Sequence, residues 1–216
     1  MDKELRKITD GRFYELNDMV KVGCHDCQGC SACCQGMGQS ILLDPYDAYM
    51  LTTNLGKSFE ELMEGPIELH VEEGLILPNL RMAGQGGMDK CSFLNSEGRC
   101  SIHSIRPGIC RLFPLGRNYE GDRMNYFLLT RECPVTNKTK MKVSKWIDAE
   151  NVKQYQQFLI DWHRLTKDFR QEIQACDNEK QKKQLTMIFL QLFYIKPYSK
   201  DSFYEEFYSR LHSIAG

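Results

Sequence analysis

The sequence lacks both a long apolar run and a strong excess of charge of either sign. Its longest apolar stretch, Met187 to Ile195, is interrupted by Gln191 and is far shorter than the ~20 residues that a membrane-spanning helix needs. Lys and Arg number 28 against 29 Asp and Glu, which leaves a net charge of −1. Because nothing in that balance favours nucleic acid or an anionic membrane, neither is expected as a partner.

Targeting and nucleotide-binding signals are missing as well. The charged first residues are not followed by the apolar segment of a signal peptide, so we expect a cytoplasmic protein. The Gly-Gln-Gly-Gly segment at 84–87 is too irregular for a dinucleotide- or phosphate-binding loop. No internal repeat or low-complexity linker divides the 216 residues, which suit one large domain or one domain with an appendage.

Cysteine, by contrast, is abundant, with ten residues in the chain. Disulfide frameworks are typical of small secreted domains, so close-set thiols in a cytoplasmic chain of this length are better explained as metal ligands or redox pairs. Five cysteines lie within residues 24–34, and Cys33 is one of them. The other four follow the C-x2-C-x2-C-x3-C spacing that holds a cubic iron–sulfur cluster in bacterial ferredoxins: Cys24, Cys27, Cys30 and Cys34.

A second group of cysteines lies among turn-forming glycines and prolines, and is therefore predicted to occupy loops. Its members are Cys91, Cys100, Cys110 and Cys133. With the first group they make nine candidate metal ligands. Eight thiolates would fill two four-ligand sites, either two zinc centres or two cubane clusters, whereas a single cluster needs fewer.

The type of ligand narrows the choice of metal. Soft thiolate sets select zinc, cuprous copper or iron–sulfur clusters over magnesium or calcium. The C-x2-C-x2-C run favours an iron–sulfur cluster, and a [4Fe–4S] cluster in particular, because zinc knuckles more often present two separated C-x2-C pairs. Structural zinc is the alternative, since it would equally join the loops between residues 24 and 133.

Four basic or titratable side chains lie beside these cysteines. His25 and His103 could replace a thiolate ligand, although a hydrogen bond to a ligand sulfur is the simpler role. Arg106 and Arg111 flank Cys110. We expect the two arginines to neutralise the charge of buried thiolates, or alternatively to bind a carboxylate or phosphate of a small molecule.

The pattern of the first 140 residues predicts short helices and a β-hairpin. Residues 1–23 are weakly patterned and predict a short helix that Gly23 ends. Asp44 and Ser58 are expected to cap the next two helices. Residues 66–82 alternate between apolar and polar side chains, which indicates a hairpin with one buried face.

The remaining residues are predicted to be helical. Apolar side chains recur at intervals of three and four over 152–173, as in a long amphipathic helix. The charge run at 179–183 is interpreted as a solvated turn, and Cys176 as a thiol without a metal. The predicted fold class is α+β, with a cysteine-rich, metal-stapled core followed by a helical C-terminal part. We divide the chain into a metal-binding domain at 1–140 and a helical extension packed on it at 141–216.

Several spaced elements follow one another between residues 27 and 134: Cys27-x2-Cys30-x2-Cys33-Cys34, Cys91-x-Phe93-Leu94, Cys100-x-Ile102-His103, Arg106-Pro107-x2-Cys110-Arg111-x-Phe113-Pro114 and Cys133-Pro134. In this order they resemble the CxxCxxCC family of zinc- or iron-chelating domain proteins, also called the YkgJ-type cysteine cluster family. The resemblance implies a chelating set of eight: Cys27, Cys30, Cys33, Cys34, Cys91, Cys100, Cys110 and Cys133. Cys24 is additional to that set and completes the ferredoxin-like spacing.

Three functions follow from these interpretations. The first is a cytoplasmic metal-binding protein that holds an iron–sulfur cluster or zinc, with its redox or enzymatic role unassigned. The second is a protein lysine N-methyltransferase-like enzyme, because the resemblance extends to flagellin lysine N-methylases. The third is a zinc-stapled module whose C-terminal helices dock a partner. The sequence leaves open whether the chain is catalytic and whether its partner is a protein or a small molecule.

Overall fold

The computed structural model describes residues 3–24, 27, 30–84 and 89–214. Short helices and small antiparallel sheets are followed by long helices, which confirms the predicted α+β class. The helices are α1 (Lys3–Ile8), α2 (Pro45–Leu55), α3 (Phe59–Met63), α4 (Gly108–Leu112), α5 (Val143–Ile147), α6 (Val152–Ala175), α7 (Glu179–Leu190) and α8 (Phe203–Ile214). None of those described is long and apolar enough to cross a membrane.

The strands pair in four two-stranded antiparallel sheets within the described residues. The pairs are β1 (Met19–Gly23) with β8 (Thr139–Lys142), β2 (Ile67–Glu72) with β3 (Leu75–Leu80), β4 (Met82–Ala83) with β5 (Lys90–Cys91), and β6 (Leu115–Glu120) with β7 (Arg123–Leu128). The hairpin predicted at 66–82 is confirmed as β2 and β3. Its predicted buried face is wrong for β2, because Ile67 is buried but Leu69 and Val71 are exposed. Because β1 pairs with β8, the strand just before Cys24 meets a strand that follows Cys133.

Local capping signals place the first long helix where the sequence predicts it. The Asp44 side chain accepts a hydrogen bond from the Asp47 backbone N–H, and the Asp47 side chain accepts one from the Asp44 backbone N–H. This reciprocal pair satisfies amide groups that the first turn of a helix leaves without partners. The helix ends at Gly56, whose left-handed conformation (φ 62°) suits glycine. Ser58 caps α3 in the same reciprocal manner.

Two local predictions are wrong, and long-range contacts explain the first of them. The helix expected over residues 1–23 ends at Ile8, and Met19–Gly23 forms a strand whose alternate residues Val20 and Val22 are buried. The charge run at 179–183 is the start of α7 instead of a turn. Its backbone N–H groups are capped by the side chain of Asn178, an Ncap signal that the interpretation overlooked.

The hydrophobic core is largely aromatic and draws on both halves of the chain. Phe158 of α6 packs edge-on against Phe207 of α8, with ring centroids 4.8 Å apart. The Tyr194 hydroxyl donates a 2.8 Å hydrogen bond to the Leu43 carbonyl, just before α2. The first contact joins two C-terminal helices, and the second holds the C-terminal part against the segment just before α2. The division at residue 140 stays a prediction.

Hydrogen bonds from Arg210 of α8 join this helix to the end of the preceding helical segment. α7 continues as one turn of π-helix over Gln191–Ile195, and the buried Arg210 donates hydrogen bonds to carbonyls at and just beyond its end. Arg210 also donates to the Glu206 carboxylate at 3.1 Å. Glu206 accepts further hydrogen bonds from the Ser199 backbone and the Ser202 hydroxyl. This carboxylate is therefore held in its ionised form.

Candidate metal centre

Seven of the nine predicted cysteine ligands line one cavity of about 60 Å³. They are Cys27, Cys30, Cys33, Cys34, Cys91, Cys100 and Cys110. A single water molecule needs about 10–15 Å³ of such space, so the cavity has room for a small inorganic group. The rest of its wall is mainly apolar, from Ile41, Leu80, Met82, Ile102, Phe113 and Trp146. The structure thus brings together cysteines that are separated by up to 83 positions in the chain.

Tight turns place the first group of cysteines on this cavity. The Cys27 backbone N–H donates to the Cys24 carbonyl at 3.2 Å, and the Cys30 N–H donates to the Cys27 carbonyl at 3.1 Å. Cys27 itself has a left-handed backbone (φ 55°). A 3-10 turn over Ala32–Cys34 then carries the two adjacent thiols. His25 lies outside the described residues, so its predicted role beside the ligands is not addressed by the structure.

The second group reaches the cavity from three separate elements. Cys91 ends β5, where it pairs with Met82 of β4. Cys100 follows a turn and bridges to Leu94. Cys110 lies in the middle of the five-residue helix α4. The prediction that these thiols occupy loops and turns therefore holds for Cys100 and Cys133, whereas Cys91 and Cys110 lie in regular elements.

Burial raises the pKa of most of these thiols and so favours their neutral form. It raises the pKa of Cys91, Cys100 and Cys110, and burial together with a contact to Cys24 raises the pKa of Cys27 to about 12. Cys33 is the exception, because a hydrogen bond from Cys34 lowers its pKa to about 7. A buried cation reverses this preference, since it stabilises thiolates directly. The cavity therefore suits neutral thiols or thiolates bound to a metal.

The two predicted arginines lie in different surroundings. Arg106 lines the cavity and contacts the imidazole of His103, which lines it too. Arg111 is not among the lining residues; its guanidinium lies 5.3 Å from the centroid of the Tyr155 ring. Arg99, which the sequence interpretation missed, lines the cavity and donates to the Cys27 carbonyl at 3.4 Å. Its position next to Cys100 in the sequence is the signal that could have identified it.

The remaining cysteines lie off the cavity wall. Cys24 is buried, and its Sγ is 3.4 Å from the Sγ of Cys27. Cys133 is half-buried, and its carbonyl accepts a hydrogen bond from Lys138 at 3.1 Å. Cys176 ends α6, with its Sγ 3.4 Å from the Gln181 side chain. Across the part of the chain that the structure describes, no three Cys, His, Asp or Glu side chains are arranged to hold a metal ion as they stand.

A second cavity of about 540 Å³ adjoins the cysteine-lined one. Cys33, Ile41, Cys110 and Phe113 belong to the walls of both. Its other lining is mostly aliphatic: Ile8, Met37, Ile109, Leu112, Leu115 and Leu129. A volume of this size is typical of small-molecule sites, so a ligand of that size could approach two of the candidate ligand thiols.

Comparison with known proteins places this chain in a family. The model of the CxxCxxCC family, described as "Putative zinc- or iron-chelating domain", matches residues 26–134, half of the chain. No curated protein and no solved structure matches the sequence. All seven cavity-lining cysteines lie inside the matched range, and Cys24 lies just before it. The chain therefore belongs to the CxxCxxCC family of zinc- or iron-chelating domains.

Proposed function

We propose that this protein holds an iron–sulfur cluster of the [4Fe–4S] type in the cysteine-lined cavity and acts in the cytoplasm as a redox or enzymatic protein. The observation that carries the proposal is the convergence of seven thiols on one small, largely apolar space. Zinc is the second candidate, because the same donors bind it and the family is described as zinc- or iron-chelating.

The donor set fits either metal. Thiolates are the softest protein ligands, and no carboxylate lines the cavity within the described residues. The C-x2-C-x2-C run supports iron over zinc, because this spacing is typical of cysteines that hold a cubic iron–sulfur cluster. Adjacent side chains such as those of Cys33 and Cys34 diverge, so they more readily serve two sites, or two corners of an extended group, than one ion.

The position of its sulfur supports Cys24 as a further ligand. Seven thiols line the cavity, and Cys24 lies in sulfur–sulfur contact with Cys27, which makes eight. Eight thiolates would fill two four-ligand sites, whereas a single [4Fe–4S] cluster would use four of them. The family resemblance instead assigns the eighth position to Cys133. We favour Cys24 on its distance of 3.4 Å from a lining sulfur.

Two basic side chains beside the cavity would act on its charge once the thiols are ionised. The guanidinium groups of Arg99 and Arg106 border the cavity and would offset the negative charge of a thiolate set. The apolar walls limit access by water, which protects a bound cluster and raises the energetic weight of those charges. When bound, a cluster supplies one-electron transfer, whereas zinc would supply a structural link between the loops.

The test is purification without oxygen, followed by an absorption spectrum and analysis of iron, zinc and acid-labile sulfide. We expect a brown protein with a broad visible shoulder and matching amounts of iron and sulfide. A colourless protein with one or two zinc ions per chain would indicate that the site holds zinc instead of a cluster. A protein that contains neither metal and acquires neither on anaerobic reconstitution would overturn the proposal.

A further inference from the structure

We propose that Asp47 is a positioning residue for the metal centre, because it anchors the short helix that carries Cys110. The inference rests on the proposed metal-binding function and adds a residue to it. Asp47 lies in the first turn of α2, far from the cysteines in sequence, and is 3% exposed. Its Oδ1 accepts a 2.7 Å hydrogen bond from the backbone N–H of Gly108, the first residue of α4.

Helix α4 depends on such anchors. It has only five residues, and a helix of that length is not stable in water by itself. Its C-terminal end is also held from outside, because the Trp146 indole N–H donates to the Leu112 carbonyl at 3.0 Å. A side chain from α2 and one from α5 thus define the two ends between which Cys110 faces the cavity.

Close packing holds the Gly108 end of α4 against α6. A Cβ atom on Gly108 would overlap the hydroxyl of Tyr155. The backbone N–H of Gly108 therefore has little freedom to turn toward another acceptor, and Asp47 is the acceptor that it meets. Since a buried N–H that loses its acceptor is costly, loss of this side chain should loosen α4 most at its N-terminal end, two residues before Cys110.

Charge adds a second link between Asp47 and this helix. Burial raises the pKa of the Asp47 carboxyl. Arg111, next to Cys110, is the positive group that most opposes this rise. Among the described residues the Nε and Nη2 atoms of Arg111 have no hydrogen-bond partner, although both are buried. Asp47 thus acts on α4 through the Gly108 backbone and through the field felt by Arg111.

Asp44 provides a matched control. Both carboxyl groups are buried and belong to the same capping box of α2. Asp44 Oδ1 accepts from the Asp47 N–H at 2.9 Å, and Asp47 Oδ2 accepts from the Asp44 N–H at 3.2 Å. Both carboxyl groups favour the charged form of Arg111, but of the two it is Asp47 that accepts a hydrogen bond from α4. Replacing either residue damages the cap, so a difference between the variants reports the contact with Gly108.

The experiment compares Asp47→Ala with Asp44→Ala in the anaerobically purified full chain. Metal release to an excess of chelator is followed together with the visible spectrum. Loss of supporting contacts around metal ligands typically costs 10–100-fold in affinity, so we expect Asp47→Ala to release metal at least about tenfold faster and to show an altered spectrum. We expect Asp44→Ala to stay within about twofold of the wild-type rate. Equal rates for the two variants would overturn the inference.

A second pair of variants serves if the alanine proteins do not fold. Asp44→Asn keeps an oxygen that can accept the hydrogen bond from the Asp47 N–H, and we expect wild-type release. Asp47→Asn has one oxygen where the carboxylate uses two, so either Gly108 or Asp44 loses its acceptor. We expect several-fold faster release from Asp47→Asn, and wild-type behaviour of that variant would contradict the inference.

Amide hydrogen exchange separates this inference from the metal assignment. Exchange of the Gly108 amide depends on the anchor whether or not metal is bound, and we expect it to accelerate at least tenfold in the Asp47 variants alone. A wild-type protein that never binds metal would overturn the proposed function but leave the anchor supported by exchange. A metal-loaded protein in which the Asp47 variants exchange like wild type would overturn the inference and leave the proposed function intact.

Discussion

Gly108 offers a prediction whose magnitude can be worked out from the structure. A Cβ atom at this position would overlap the Tyr155 hydroxyl and would lie 3.0 Å from Arg117 Nη2 and 3.3 Å from Tyr155 Cζ. Tyr155 is fully buried on α6, so it cannot swing away into solvent. Overpacking of this kind typically costs about 1–3 kcal/mol. For a chain of this length, about 2 kcal/mol corresponds to a Tm that is lower by roughly 4–8 °C.

The assay is thermal unfolding of Gly108→Ala at equal metal occupancy, with a control and a rescue. Gly65→Ala is the control, because a Cβ there meets nothing within 4 Å and the backbone is not left-handed. We expect that variant to lie within about 0.5 kcal/mol of wild type. Tyr155→Phe is the rescue, since it removes the atom that overlaps.

The double variant tests whether overlap with the Tyr155 hydroxyl causes the loss of stability. Tyr155→Phe alone should cost about 1–3 kcal/mol, because Arg117 Nη2 then loses its 3.2 Å hydrogen bond to the phenol. Gly108→Ala with Tyr155→Phe should be more stable than the sum of the two single changes by at least about 1 kcal/mol. Additive losses, or a Gly108→Ala protein with wild-type stability, would refute the close approach of α4 and α6.

Three further outcomes are expected. Cys30→Ala should lose metal and then unfold, since metal binding and folding are coupled in such sites, whereas Cys176→Ala should retain both; metal analysis and circular dichroism compare them, and a folded metal-free Cys30→Ala protein would contradict that coupling. Cys24→Ala should lower the metal content more than Cys133→Ala, and the reverse order would return the eighth ligand to Cys133. Although partial burial opposes it, hydrogen bonds from neighbouring serines and an arginine lower the pKa of Glu206 to about 2 from 4.5. Its stabilisation is therefore present above pH ~4.5 and lost toward pH 2, so Glu206→Gln should lower Tm at pH 7 and not near pH 2; a difference independent of pH would refute this.

Features that depend on a few neighbouring residues could be predicted from the sequence. Asp44 and Ser58 begin helices as expected, because a cap requires only the next three residues. The hairpin of β2 and β3 follows from the alternation around Glu73 and Gly74. The long helix α6 follows from its apolar period. In each case the stabilising hydrogen bonds or the buried face lie within one continuous segment.

The candidate site was predicted in its chemistry but not in its geometry. The spacing of the cysteines indicated soft-metal binding, and seven of the nine named thiols do line one cavity. The interpretation treated Arg106 and Arg111 alike because both flank Cys110. Arg106 precedes α4 and lines the cavity, whereas Arg111 lies within α4, near Tyr155 and Asp47. Periodicity cannot reveal which of two neighbours a distant tyrosine will meet.

The sequence by itself determined which thiols are candidate ligands, the family motif and the elements whose hydrogen bonds close within a few residues. Only the tertiary structure decided that Met19–Gly23 is a strand, because its partner Thr139–Lys142 lies more than a hundred residues away. The tertiary structure likewise decided that Asp47 meets Gly108, a contact across 61 positions. Such contacts depend on the packing of several elements at once, and no local pattern of side chains encodes which amide a buried carboxylate will accept from.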